Sequence, residues 1–153
     1  MMTEKTPELI LFLLEAKQKT YAGGGEHAPS SRPASFDLPY RRGDYFYLDS
    51  YLGRERFVGE EAVWLNGQPL WGMNYYGYLL APEAPEGFGE FLKRALLAVP
   101  VEAPYRGPAF YKEGLFEYRC EWDGAVERFE GRETIWLAQQ PIYELLFHGG
   151  TIQ

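Results

Sequence analysis

Two glutamates, Glu61 and Glu133, stand inside two apolar runs that nearly repeat each other. The first run is RFVGEEAVWLNGQPLWGMNYYG, Arg56 to Gly77, and the second is RFEGRETIWLAQQPIYELLFHG, Arg128 to Gly149. A carboxylate among apolar side chains is poorly hydrated, and desolvation favours its protonated form. Such a group suits cation binding or general acid–base work. The other reading is structural: each glutamate is held by an arginine, a tyrosine or a backbone N–H, and duplication copies structure as readily as function. If the glutamates bind a ligand, Glu61→Gln and Glu133→Gln each change stability by less than about 1.5 kcal/mol, near the size of an ordinary net hydrogen bond.

Hairpin geometry assigns their neighbours. Asn66-Gly67 is a strong type I′ turn signal. It sets Val63 opposite Leu70, Glu61 opposite Gly72 and Phe57 opposite Tyr76. Asn74 and Tyr76 then share the glutamate face in the first half, and Glu144 and His148 share it in the second. Trp64, Trp71, Met73 and Tyr75 take the other face, which suits packing under helices, with Trp64 and Trp136 each beneath one. The glutamate face is helix-free and too apolar for plain exposure, so loops, a second subunit or a ligand should cover it.

Glu144 falls opposite Glu133 in this register, and like charges there are destabilising. A shared proton, an arginine such as Arg106, a metal or simple exposure would compensate. Ala138-Gln139 is a poor I′ sequence, so a slipped register that moves Glu144 to the other face is the alternative. The candidate ligand-binding set is Glu61, Glu133, Asn74, Tyr76, Glu144, His148 and Arg106. His27 and His148 lack metal-ligand spacing, so no metal and no cofactor are expected.

The elements that position these residues also come in two sets. At an offset of 72, Arg56/Arg128, Phe57/Phe129, Gly59/Gly131, Glu61/Glu133, Trp64/Trp136, Pro69/Pro141 and Gly77/Gly149 are identical. Ahead of each run lies helical spacing: Leu9, Phe12, Leu13, Ala16, and Phe88, Phe91, Leu92, Ala95. Thr6-Pro7 reads as N-cap and first helical residue. Between helix and run sits one more strand, DYFYLDSYL or LFEYRCEW. The expectation is a single α+β domain over 1–153, with repeats at about 6–80 and 86–150. Each half runs helix, strand, strand, strand, giving one antiparallel sheet with two helices on one face. About eighteen residues, AGGGEHAPSSRPASFDLP, read as a loop of the length used for lids and binding loops. Within it Ser30, Ser31 and Arg32 offer an anion site or a solvated turn.

Composition removes whole classes of function. The net charge of −7 argues against a nucleic-acid surface and an anionic membrane, and for neutral or cationic partners. One cysteine allows no internal disulfide. Leu9 to Leu14 is apolar but short and flanked by Glu8 and Glu15, unlike a secretory signal or a membrane span. A soluble cytoplasmic protein is expected. Phosphate-loop, zinc-protease, serine-hydrolase and CxxC motifs are absent from the sequence.

The stretches YAGGGEHAPSSRP, YLDSYLG, RFVGEEAVW, MNYYG, PYRGP and FHGG resemble an uncharacterised bacterial and archaeal domain family. Its members occur alone or behind an XRE-type helix-turn-helix. The resemblance implies an effector module of regulators, here in stand-alone form because no helix-turn-helix fits before residue 8. The duplicated halves are similar, in architecture only, to GyrI-like effector-binding domains, which implies ligand binding on the helix-free side. The leading expectation is a domain that binds a neutral or cationic small molecule. An enzyme pairing Glu61 or Glu133 with His148, and a homodimer that buries the apolar face, are the alternatives.

Overall fold

A computed structural model describes residues 5–22 and 27–153. The chain is α+β, with one eight-stranded antiparallel sheet and two helices. Helix α1 (Thr6–Lys17) runs into a π-helical turn (Gln18–Ala22). Four strands follow: β1 (Phe36–Arg42), β2 (Tyr45–Gly53), β3 (Arg56–Leu65) and β4 (Gln68–Leu79). Helix α2 (Phe88–Leu97) precedes β5 (Phe110–Glu113), β6 (Phe116–Ala125), β7 (Arg128–Leu137) and β8 (Gln140–Thr151). The strand order is β1-β2-β3-β4-β8-β7-β6-β5, so β4 meets β8 at the centre and β1 and β5 form the edges.

Each half has four strands rather than the three expected from sequence. The extra ones are the edges. Pro39 lies inside β1 and removes a donor, which an edge strand tolerates. β5 has only four residues, and short strands with charged side chains are a common way to end a sheet. The eighteen-residue loop is shorter than expected, because Phe36 begins β1 and Ala28 bridges to Asp37. Residues 23–26 of that loop lie outside the described residues. Helix α1 starts one residue earlier than expected, with Lys5 as N-cap and Thr6 already helical.

Both inner hairpins use a two-residue turn with positive φ at each turn residue: Asn66 and Gly67, then Ala138 and Gln139. A bulge follows each turn. Trp64 pairs with Pro69 but Val63 pairs with Trp71, leaving Leu70 over. Trp136 pairs with Pro141 but Ile135 pairs with Tyr143, leaving Ile142 over. One extra residue in a strand sends every later side chain to the opposite face. Glu61 therefore pairs with Met73, and Glu133 with Leu145. Both glutamates share the helix-covered face with Trp71, Met73 and Tyr75, or with Tyr143, Leu145 and Phe147, all at most 4% exposed. Their expected place on the helix-free face is thus corrected. Trp64 and Trp136 are corrected too. They lie half-buried on the helix-free side, Trp64 against Phe46 and Trp136 under the Arg119 guanidinium.

The core lies between the sheet and the helices, and its packing recurs in the two halves. Phe12 of α1 stacks on Tyr45 at 4.9 Å and on Tyr40 at 5.9 Å. Phe91 of α2 meets Phe116 at 4.9 Å and Tyr111 at 5.7 Å. Gly53, the last residue of β2, and Gly124, the last but one of β6, have φ of 93° and 92°, where a side chain would collide with the carbonyl of Arg56 or Arg128. No described helix is long and apolar enough to cross a membrane.

Candidate functional site

Two of the buried polar clusters centre on the glutamates, and a cavity lies beside them. The Glu133 carboxylate is completely buried. Arg106, itself 5% exposed, donates from Nε to Oε2 at 3.0 Å and from its terminal nitrogen to Oε1 at 2.8 Å. Tyr118 Oη donates to Oε2 at 2.5 Å and Tyr143 Oη to Oε1 at 2.7 Å. Burial, then the Glu133 charge, push both phenols well above their ordinary range, so they remain donors. Burial and the same charge push the Cys120 thiol up to about 12. A carboxylate with a forked arginine and two phenols has its bonding capacity met inside the protein.

Glu61 is also completely buried but has fewer partners. Lys17, 2% exposed, closes α1 and donates from Nζ to Glu61 Oε1 at 2.6 Å and to the Tyr105 carbonyl at 2.8 Å. Tyr47 Oη donates to the same Oε1 at 2.5 Å. Oε2 makes no hydrogen bond. The Tyr105–Arg106 segment thus ties the halves together, its carbonyl on Lys17 and its guanidinium on Glu133.

Beside these clusters is a cavity of about 570 Å³ on the helix side of the sheet. Phe36, Leu38, Tyr51 and Phe57 line it from the strands, and Leu92 and Leu96 from α2. Its buried polar wall is Asp49, 1% exposed, which accepts a 2.5 Å hydrogen bond from Tyr75 Oη. The Arg106 guanidinium lies 5.4 Å from the centre of the Tyr75 ring. Exposed Arg54 and Lys93 also line the cavity, as do His27 and Thr20.

The candidate residues named from sequence separate. Arg106, Glu61 and Glu133 lie on the helix side. Asn74, Tyr76, Glu144 and His148 project from the other face, where His148 pairs across the strands with Asn74 and Glu130. Glu144 pairs with Thr134, not Glu133, so the slipped-register alternative is the one observed. It forms an ion pair with Arg132 at 3.2 Å and accepts a hydrogen bond from Tyr78 Oη at 3.2 Å. Neither Glu61 nor Glu133 shares a face with His148, so the expected acid–base pair is not assembled. Ser30, Ser31 and Arg32 fold around a protein carboxylate instead of facing an open anion site. Ser35 and Ser50 donate to Asp37 Oδ1 at 2.8 and 2.9 Å, the Ser31 N–H donates to Oδ2 at 3.2 Å, and Arg32 donates to Ser50 Oγ at 2.8 Å. Burial raises the Asp37 pKa, but the serine hydrogen bonds outweigh it and hold the carboxyl below its ordinary value.

A family model described as a domain of unknown function, DUF5680, matches residues 49–152. That is well over half of the 153-residue chain. The chain belongs to the DUF5680 family. The DUF5680 match takes in Asp49, Glu61, Tyr75, Arg106 and Glu133, while Lys17 and α1 lie before it. No curated protein and no solved structure matches the chain.

Three parts of these clusters and the cavity wall in this DUF5680 member were missed from sequence. Lys17 sits in an ordinary helical EAK stretch, and nothing local marks it as buried. Asp49 did carry a signal. Tyr45, Tyr47, Asp49 and Tyr51 alternate along β2, so one carboxylate interrupts an aromatic face. Tyr47 and Tyr118, each a phenol on one of the two glutamates, pair across the ladder with Val63 and Ile135 in matching positions.

Proposed function

We propose that this chain is a small-molecule-binding domain whose site is the cavity between β1–β4 and α2. The observation that carries this reading is the cavity itself: about 570 Å³, mostly apolar, with the buried Asp49–Tyr75 pair and Arg106 on its wall. Ligand sites commonly combine that size with apolar walls and a few placed polar groups. We read the two halves as copies of one unit. In the second copy Cys120 takes the place of Asp49 and Phe147 that of Tyr75, so the polar pair is particular to the half with the cavity. Among the described residues, the lining charges are one carboxylate, Asp49, against Arg54, Lys93 and an Arg106 already paired with Glu133. This balance favours a neutral or anionic molecule, where the net charge led to the expectation of a neutral or cationic one. A ligand-sensing role, implied by the resemblance to regulator modules, fits a site walled by both halves.

The homodimer reading has less behind it. Val58, Tyr76 and Leu146 form one exposed cross-strand row on the helix-free face, but Arg132 ends the row and Glu60 and Glu130 stand beside it.

Leu92→Trp tests the proposal by filling the cavity from α2. Fragments that bind the unmodified protein in saturation-transfer NMR should lose binding to this variant, while its Tm stays within about 4 °C, a change of roughly 1–2 kcal/mol for a chain of this size. Undiminished binding to a folded Leu92→Trp variant would place the site elsewhere.

A further inference from the structure

Phe57 and Phe129 occupy matching seats. Each begins an inner strand opposite a glycine, Gly77 or Gly149, and each ring lies so close over it that an added Cβ would come within 3 Å. Each stacks on a ring from the other half: Phe129 on Trp71 at 5.7 Å and 18°, Phe57 on Tyr143 at 6.4 Å and 17°. Each also meets a tilted ring on the neighbouring strand, Phe147 at 6.2 Å or Tyr75 at 6.0 Å. Then the halves part. Phe129 carries a third ring, Tyr105, stacked at 3.8 Å and 7°. Among the described residues no ring stacks on Phe57 in that way. Phe57 is half-buried where Phe129 is 4% exposed, and it borders the cavity.

We infer that the cavity takes a planar aromatic ring, laid on Phe57 as the Tyr105 ring is laid on Phe129, and that the ring carries an acidic group. This rests on the cavity being the ligand site. A flat ring gains from parallel, offset contact with another ring beyond the area it buries. The volume of about 570 Å³ exceeds one ring and leaves room for substituents. Asp49 and Tyr75 stand where the closed half has Cys120 and Phe147, so hydrogen-bonding groups flank the ring's place. Arg54 and Lys93, both exposed and with no carboxylate partner among the described residues, line the same cavity in a chain of net charge −7. They supply the attraction for the acid.

The test uses 2-naphthoate and its fully saturated counterpart, decahydro-2-naphthoate, which share the carboxylate and differ in flatness. Calorimetric titration of the unmodified protein should show naphthoate binding about 3- to 10-fold more tightly, the range expected of one aromatic stack. Phe57→Leu should bring the two affinities together while leaving the saturated compound within about twofold of its wild-type value, since only the stack is lost. In the unmodified protein, naphthoate should also shift the Gly77 amide and Tyr75 ring protons by its ring current. Equal affinities in the unmodified protein would overturn the ring preference while leaving the cavity as a binding site. No binding of either compound at millimolar concentration would overturn both.

Discussion

Glu133→Gln is expected to destabilise the protein by about 3–5 kcal/mol, the usual cost of leaving one member of a buried ion pair without its partner. The substitution keeps the shape and removes the charge. Arg106, 5% exposed, would then keep its charge in the core without the Glu133 carboxylate on its fork. An amide also brings an N–H₂ group toward the arginine and phenols, which now donate. A domain is usually stable by only about 5–15 kcal/mol, so a third or more of the total is at stake. The loss should spread along the loop, because Arg106 anchors the segment that holds Tyr105 on Phe129. Urea unfolding measures it directly. A change below about 1.5 kcal/mol, the value expected if this glutamate faced a ligand, would mean that Arg106 has another route to compensation.

The second large effect belongs to Lys17. Lys17→Met keeps an unbranched apolar stem but removes the ammonium from Glu61 and from the Tyr105 carbonyl. Glu61 would be left with Tyr47 alone on Oε1 and nothing on Oε2. A loss of about 3–5 kcal/mol is expected at neutral pH, again because a buried charge is stranded. Replacing both partners by uncharged groups often costs far less than removing one. The double variant Lys17→Met/Glu61→Gln should therefore recover about 1–2 kcal/mol of the single variant's loss, a coupling typical of groups in direct contact. Additive losses in the double variant would show that the two groups do not depend on each other.

How far the sequence reaches is clearest at these residues. The two runs around Glu61 and Glu133 pointed to paired carboxylates, and the helical spacing of Phe12 and Phe91 pointed to helices over a sheet. Those readings depend on local periodicity, which survives in any one strand. The face did not follow. It depends on counting residues across the hairpin, and Leu70 and Ile142 each add one that no turn signal announces. Pro69 and Pro141, which bring no N–H to the ladder, are the available hint. The same miscount misplaced Asn74, Tyr76 and His148 relative to the glutamates. Edge strands β1 and β5 escaped because Pro39 and the brevity of Phe110–Glu113 resemble loop. Lys17 could not be found locally, since its partners Glu61 and Tyr105 lie 44 and 88 residues away. The cavity is harder still: among the described residues, it is the place where Phe57 has no ring matching the one that Tyr105 lays on Phe129.

The claim that the site lies under the helices is tested most directly by chemical-shift mapping. The ¹⁵N- and methyl-labelled protein would be titrated with a mixed set of neutral, anionic and cationic fragments. The account predicts that perturbed signals gather at Leu38, Tyr51, Gly53, Phe57, Leu92 and Leu96, with cationic fragments the weakest. Perturbations gathered instead at Asn74, Tyr76, Leu146 and His148, on the opposite face of the sheet, would contradict it.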